Sequence, residues 1–269
     1  MGRLKDNLLV QTFTRLQAEG RKALITYVTA GDPSLADTEA IVLELSRAGA
    51  DVVELGVPFS DPVADGPVIQ QASQRALRAG TTVQGILELA ARLRKQTQVP
   101  LVLMTYINPL LQYEIKRFMA QAAVCGINGL ILPDLPVEEW GLVEEAAQAN
   151  GIALIPLVAP TSTTDRLQKI CARGSGFVYC VSLTGVTGIR SGLPSNVAEF
   201  LGRVRAATDL PLAVGFGISN PEQITGLKGH CDGVVVGSAL VDLLARAGTS
   251  AQGLEQLGAF IATLKSALI

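Results

Sequence analysis

The stretch that decides the fold runs from residue 51 to 67 and reads DVVELGVPFSDPVADGP. An apolar run carries a single carboxylate, Glu54, ends at Gly56 and Pro58, and opens into a loop holding Asp61 and Asp65. Along a β-strand, successive side chains alternate between faces. Val53, Leu55 and Val57 then share one apolar face, and Val52, Glu54 and Gly56 share the other. A carboxylate on a buried face is costly unless it has a partner or a task. The neighbouring glycine leaves room that a ligand is one way to fill. The stretch alone leaves two readings open, a structurally satisfied acid or a working one.

Moving outward, the same kind of run recurs. Short β-rich segments appear at 23–30, 51–58, 100–107, 129–135, 153–159, 176–183, 211–218 and 233–238. Each has the length and the flanking Gly or Pro of a buried strand. A short leading helix is predicted within 2–18, from Leu4, Leu8, Leu9, Phe13 and Leu16. Helical spacing follows at 34–48, 82–96, 112–125, 137–149, 163–172, 195–206 and 220–228, with 239–247 and 253–268 closing the series. Ser34 and Asp37 mark a helix start; Ala48-Gly49 and Asn150-Gly151 mark exits. Parallel strands need crossover helices. Eight strand–helix units in this length predict a closed (β/α)8 TIM barrel rather than an open sheet. With no linker or low-complexity tract, residues 1–269 read as a single domain with a short N-terminal helix and an extra C-terminal helix.

Composition narrows the function classes. The 269 residues are 48% hydrophobic and 17% charged, which favours a large core over disorder. A net charge of −2 with no basic block points away from nucleic acid and anionic membranes. No apolar run reaches transmembrane length, and the N-terminus lacks signal or transit character, so a cytoplasmic protein is expected. Cys125, Cys171, Cys180 and Cys231 are far apart and read as reduced packing residues, with no metal site expected. The one histidine, His230, precedes a predicted strand. In a barrel, chemistry gathers at strand C-termini and the loops after them. Glu54, Tyr106, Asp134, Tyr179 and Gly217 fall on that side and His230 on the other. Proton transfer then falls to carboxylates, tyrosine or lysine.

Two βα loops exceed the usual connector of about 2–6 residues. One spans Ser60 to Pro67, stiffened by Pro58, Pro62 and Pro67 so that Asp65 has a set place. The other, LTGVTGIRSGLPSN, carries Gly185, Gly188 and Gly192 and reads as a lid or as a plain surface loop. After the seventh and eighth strands, Gly217, Gly237 and Ser238 let backbone N–H groups approach an anion, with Gly188 a further donor, which predicts phosphate binding. Asp32, before Pro33, reads as a helix N-cap, and Asp134 as a cap for the helix near Pro136.

These segments together are recognisable. ALITYVTAGDP, ELGVPFSDPVADGP, LMTYINP, PDLPVEE, GVTG, GFGIS and GVVVGSA resemble, in order, the signature segments of tryptophan synthase alpha subunits, across roughly residues 23–240. The resemblance implies a barrel that cleaves indole-3-glycerol phosphate to indole and glyceraldehyde 3-phosphate. It implies no organic cofactor or metal in this chain, with pyridoxal phosphate in a partner beta subunit within an alpha2-beta2 tetramer. Retro-aldol cleavage needs a proton delivered to indole C3 and a base for the adjacent side-chain hydroxyl. A desolvated Glu54 suits both steps, and an ionised Asp65 suits the indole N–H. By resemblance, Thr187 would bond Asp65 on closure, Tyr179 would line the site, Tyr27 and Tyr106 would contact the indole side, and Ile131 would wall the indole pocket. Phe177 stands where some relatives carry tyrosine and is given no chemical role. The loops around Asp61 and Pro62, and near Asn108, would face the beta subunit. A free-standing indole-releasing lyase is the alternative.

Overall fold

The computed structural model describes residues 4–181, 195–215 and 217–268. In chain order these form α1 (Leu8–Ala18), β1 (Ala23–Thr29), α2 (Leu35–Arg47), β2 (Val52–Gly56), α3 (Pro67–Arg78) and α4 (Val83–Arg94). Next come β3 (Leu101–Met104), α5 (Ile107–Tyr113), α6 (Ile115–Val124), β4 (Ile127–Ile131), a 3-10 turn (Val137–Leu142), α7 (Glu144–Asn150), β5 (Ala153–Leu154) and β6 (Leu157–Val158). The chain continues through α8 (Thr164–Arg173), β7 (Val178–Val181), α9 (Ser195–Ala207), β8 (Leu212–Gly215), α10 (Pro221–Leu227), β9 (Gly233–Val236), α11 (Ser238–Ala247) and α12 (Ala251–Ser266).

All strand pairs are parallel, in the order β5-β4-β3-β2-β1-β9-β8-β7-β6. β5 and β6 are one strand interrupted at Pro156, which has no N–H to give a ladder. Hydrogen bonding continues across the break. The Ile155 amide donates to the Leu130 carbonyl at 2.9 Å, and the Tyr179 amide donates to the Pro156 carbonyl at 2.8 Å. The two ends of the order therefore meet, and eight strands close into a barrel.

Alternation along each strand builds two apolar layers. Val53, Leu55 and Val57 face outward and pack with Ile41, Val42 and Leu45 of α2 and Ile86, Leu89 and Leu93 of α4. Val52 faces inward with Ile25, Val102, Ile131, Phe177, Ala213 and Val235. Leu9, Phe13 and Leu16 of α1 join that inner cluster, so the leading helix stoppers the end of the barrel where the strands begin. The Asn7 side chain holds it there, accepting from the Leu9 amide and donating to the carbonyls of Asn128 and Gly151 at 2.8 Å each.

A repeated device caps this lower end. Amides at the start of β1, β3, β5 and β8 donate to side chains from the next strand unit: Leu24 to Asp51 (2.7 Å), Leu101 to Asn128 (3.0 Å), Leu154 to Ser175 (2.9 Å) and Leu212 to Asp232 (2.9 Å). Every second strand is served by its follower.

Several boundaries differ from the pattern-based expectation. Helix α3 was not anticipated, although Gly66-Pro67 is a start signal with Pro at the first helical position. The helix expected over 112–125 is two, because Glu114 adopts φ 75° and caps α6 by accepting from the Lys116 and Arg117 amides. The one expected over 137–149 opens with the 3-10 turn, and the fifth strand run, 153–159, breaks at Pro156. Ser34, as expected, caps α2.

Candidate active site

Glu54 sits in the middle of β2, in register with Tyr27 on one side and Val102 on the other. That position turns its side chain into the barrel. It is 1% exposed, and neither carboxylate oxygen accepts a hydrogen bond from the described residues. Burial, then the charge of Asp65, push its pKa up from 4.5 to about 8. The group is therefore protonated at neutral pH and able to act as an acid first and a base afterwards.

Asp65 lies in the loop between β2 and α3. Its amide donates to the Pro62 carbonyl at 3.0 Å. Its own carbonyl accepts from Gln70 Nε2 at 2.9 Å. The Tyr106 hydroxyl donates to Asp65 Oδ2 at 3.2 Å and accepts from the Ala64 amide at 2.9 Å. Tyr106 also leans on Phe59, with ring centroids 5.2 Å apart. Burial raises the Asp65 pKa, and the Tyr106 hydrogen bond works against that rise.

Two tyrosines roof the inner wall, each over a glycine of the adjacent strand. A Cβ on Gly56 would lie 2.0 Å from the Tyr27 hydroxyl, and one on Gly215 would lie 2.7 Å from the Tyr179 ring. Each glycine lies two residues beyond its tyrosine's register partner, Glu54 or Ala213. The room beside Glu54 is thus filled by a phenol of the protein itself, Tyr27. Burial leads the upward shift in pKa of both tyrosines, with the charges of Glu54 and Asp65 adding to it. Ile131 is fully buried in the inner cluster beside Phe177, which packs on Phe13 and Tyr179.

Gly217 follows β8 with φ 61° and is exposed, while Gly237 and Ser238 join β9 to α11. All three lie at the upper ends of adjacent strands. Thr187 and Gly188, with the rest of the expected lid, lie outside the described residues.

Asp32 and Asp134 do not cap the helices proposed for them. Asp32 makes a two-pronged ion pair with Arg75 of α3, at 2.8 and 2.7 Å. Asp134 accepts from the Ile107 amide at 3.0 and 3.2 Å, so it caps α5, the helix after Tyr106. Local sequence favoured the nearer helix in both cases, and the tertiary neighbour won. Gln70, Arg75 and Phe59 were missed; the only signal was the overlooked helix that carries the first two.

His230 is exposed at the lower end, in a cleft of about 340 Å³ with Lys22, Arg205 and Asp232. Another cleft, of about 400 Å³, is lined by Leu132, Asp134, Trp140, Leu157, Arg166 and Val181 among others; neither Glu54 nor Asp65 lines it. Among the described residues, no three His, Cys, Asp or Glu side chains converge as a metal site requires. No helix among them is long and apolar enough to cross a membrane.

The family model of the tryptophan synthase alpha chain matches residues 13–268. The chain belongs to the tryptophan synthase alpha chain family. It is 52% identical over 269 residues to the tryptophan synthase alpha chain of Geobacter sp. (strain M21), covering all of this chain and 98% of that one. It is 51% identical over 234 residues to that of Carboxydothermus hydrogenoformans, covering 87% of this chain and 88% of the other. Among solved structures, tryptophan synthase subunit alpha from Legionella pneumophila superposes with a TM-score of 0.90 at 36% identity, over 97% of this chain and 98% of that one. Mycobacterium tuberculosis tryptophan synthase does so with a TM-score of 0.89 at 37% identity, over 97% of each chain. Membership of the alpha chain family accords with the closed barrel of parallel strands described above.

Proposed function

We propose that this chain is the lyase subunit of a tryptophan synthase, cleaving indole-3-glycerol phosphate to indole and glyceraldehyde 3-phosphate and passing indole to a beta subunit. The observation that carries the assignment of roles is the inner-wall Glu54, held protonated to about pH 8 and electrostatically coupled to Asp65. Two carboxylates in unlike surroundings take unlike parts. Glu54 delivers its proton to indole C3, giving an indolenine with positive charge on nitrogen. Asp65 accepts the indole N–H hydrogen bond and stabilises that charge. The Glu54 carboxylate then takes the proton of the adjacent side-chain hydroxyl. A carbonyl forms, the C–C bond breaks, and its electron pair returns to the ring, restoring neutral indole.

Tyr27, Tyr179 and Ile131 bound the aromatic part of the substrate. Gly217, Gly237, Ser238 and Gly188 hold the phosphate through main-chain N–H groups, with α11 presenting its positive end. Thr187 reaches Asp65 when its loop closes. The exposed Val63, Asn108 and Leu111, beside Asp61 and Pro62, form the face toward a beta subunit in an alpha2-beta2 assembly. The catalytic steps use only side chains of this chain, in one cytoplasmic domain spanning 1–269, and pyridoxal phosphate belongs to the partner.

The test is indole release from indole-3-glycerol phosphate by wild type and Glu54→Gln, with and without added beta subunit. Release by the wild type alone, lost in the variant and accelerated by the partner, is expected. Wild-type release by Glu54→Gln would overturn the acid–base role. A rate indifferent to the beta subunit would make the chain a free-standing lyase.

A further inference from the structure

We propose that Tyr106 and Gln70 are positioning residues that fix Asp65 for the reaction, Tyr106 through the carboxylate and Gln70 through the main-chain carbonyl. The proposal rests on Asp65 having the role given above. The Tyr106 hydroxyl is engaged twice, accepting from the Ala64 amide at 2.9 Å and donating to Asp65 Oδ2 at 3.2 Å. Its ring is 4% exposed and braced on Phe59, so the hydroxyl has little freedom to turn elsewhere. Gln70, in the first turn of α3, donates from Nε2 to the Asp65 carbonyl at 2.9 Å.

The backing extends further from the site. Asp134 accepts the Ile107 amide directly after Tyr106, and Asp32 grips Arg75 at the far end of α3. Both aspartates thus stand behind the two residues that hold Asp65. Prolines alone do not fix the loop between β2 and α3, residues 57–66; these side chains define where the Asp65 carboxylate points.

Electrostatics gives the clamp a readable signature. Glu54 from β2, Tyr27 from β1, Tyr179 from β7 and Tyr106 all couple to the Asp65 charge. Of these, the Tyr106 hydroxyl is the hydrogen-bond donor that favours the ionised carboxylate. Removing it raises the pH at which Asp65 ionises.

The experiment uses the full chain. Asp65 is titrated by carbon NMR in protein labelled at aspartate carboxyls, its signal assigned by its loss in Asp65→Asn. In Tyr106→Phe, which keeps the ring, the Asp65 midpoint should rise by about one pH unit. The acid limb of kcat/KM should move the same way, with kcat down on the order of tenfold to a hundredfold and KM little changed. Gln70→Leu should lower kcat without moving the limb. A Tyr106→Phe titration and limb that coincide with wild type overturn the clamp, even with Asp65→Asn inactive. Full turnover by Asp65→Asn would instead remove the role assigned to Asp65, while the NMR midpoint still judges the clamp.

Discussion

The two ends of the barrel treat polar groups in opposite ways. At the lower end they are matched. Asp51 accepts the Leu24 amide and pairs with Lys265 of α12, both side chains being about a tenth exposed. Arg94 donates to the carbonyls of Thr97, Val99 and Gly126, only its Nε lacking a partner among the described residues. Near the upper end, a fully buried glutamate accepts nothing from those residues, and an aspartate relies on one tyrosine. Matched groups fix a structure; unmatched ones keep free energy available for a substrate. The strands carry both ends, so stability and reactivity are separated along one sheet.

The separation breaks most visibly at Glu54. Glu54→Gln should cost at least about a thousandfold in indole release, since it removes both proton transfers. Its circular dichroism should match wild type. Asp65→Asn comes next, with turnover down on the order of a hundredfold or more from lost charge stabilisation. A change confined to substrate affinity would contradict this.

Stability probes cut the other way. Lys265→Met leaves Asp51 buried without its cation and should cost about 3 kcal/mol in urea unfolding, with kcat at low temperature intact. Glu54→Gln should move stability in the opposite sense, and only above about pH 4.5, where an unfolded glutamate ionises. The folded state holds the Glu54 proton to about pH 8, whereas an ordinary glutamate releases it near 4.5. Between those values the native state binds more protons. Wild-type stability is therefore full below pH 4.5 and falls as pH rises through about 8. Melting curves should show the variant equal at pH 4 and more stable at pH 9, by on the order of 3–5 kcal/mol. The smallest effect belongs to His230→Asn, at the lower end, which should leave turnover within about twofold of wild type.

What could be read from the sequence follows the range of the forces involved. Strand alternation is local, so Glu54 could be assigned to the inner face and Leu55 to the outer. The rhythm of apolar runs likewise gave the eight units. Side-chain partners are not local. Tyr106 and Asp65 are 41 residues apart, and Asp32 and Arg75 are 43 apart. Nothing in either neighbourhood marks the pairing. Asp134 was misassigned for the same reason, because a carboxylate near one helix start can serve the amide of another. Helix α3 was hard to read because its start signal, Pro67, is also the last of the prolines that stiffen the Asp65 loop.

The stopper at the base has a directional consequence. With Leu9, Phe13 and Leu16 wedged among the inward side chains of the strands, the described residues close the barrel at its lower end. Access to Glu54 is thereby left to the upper end, where the loops after β2 and β3 stand. A small apolar product made against the back wall cannot drain away beneath. The leading helix, at the opposite pole, thus decides on which side of the barrel exchange takes place.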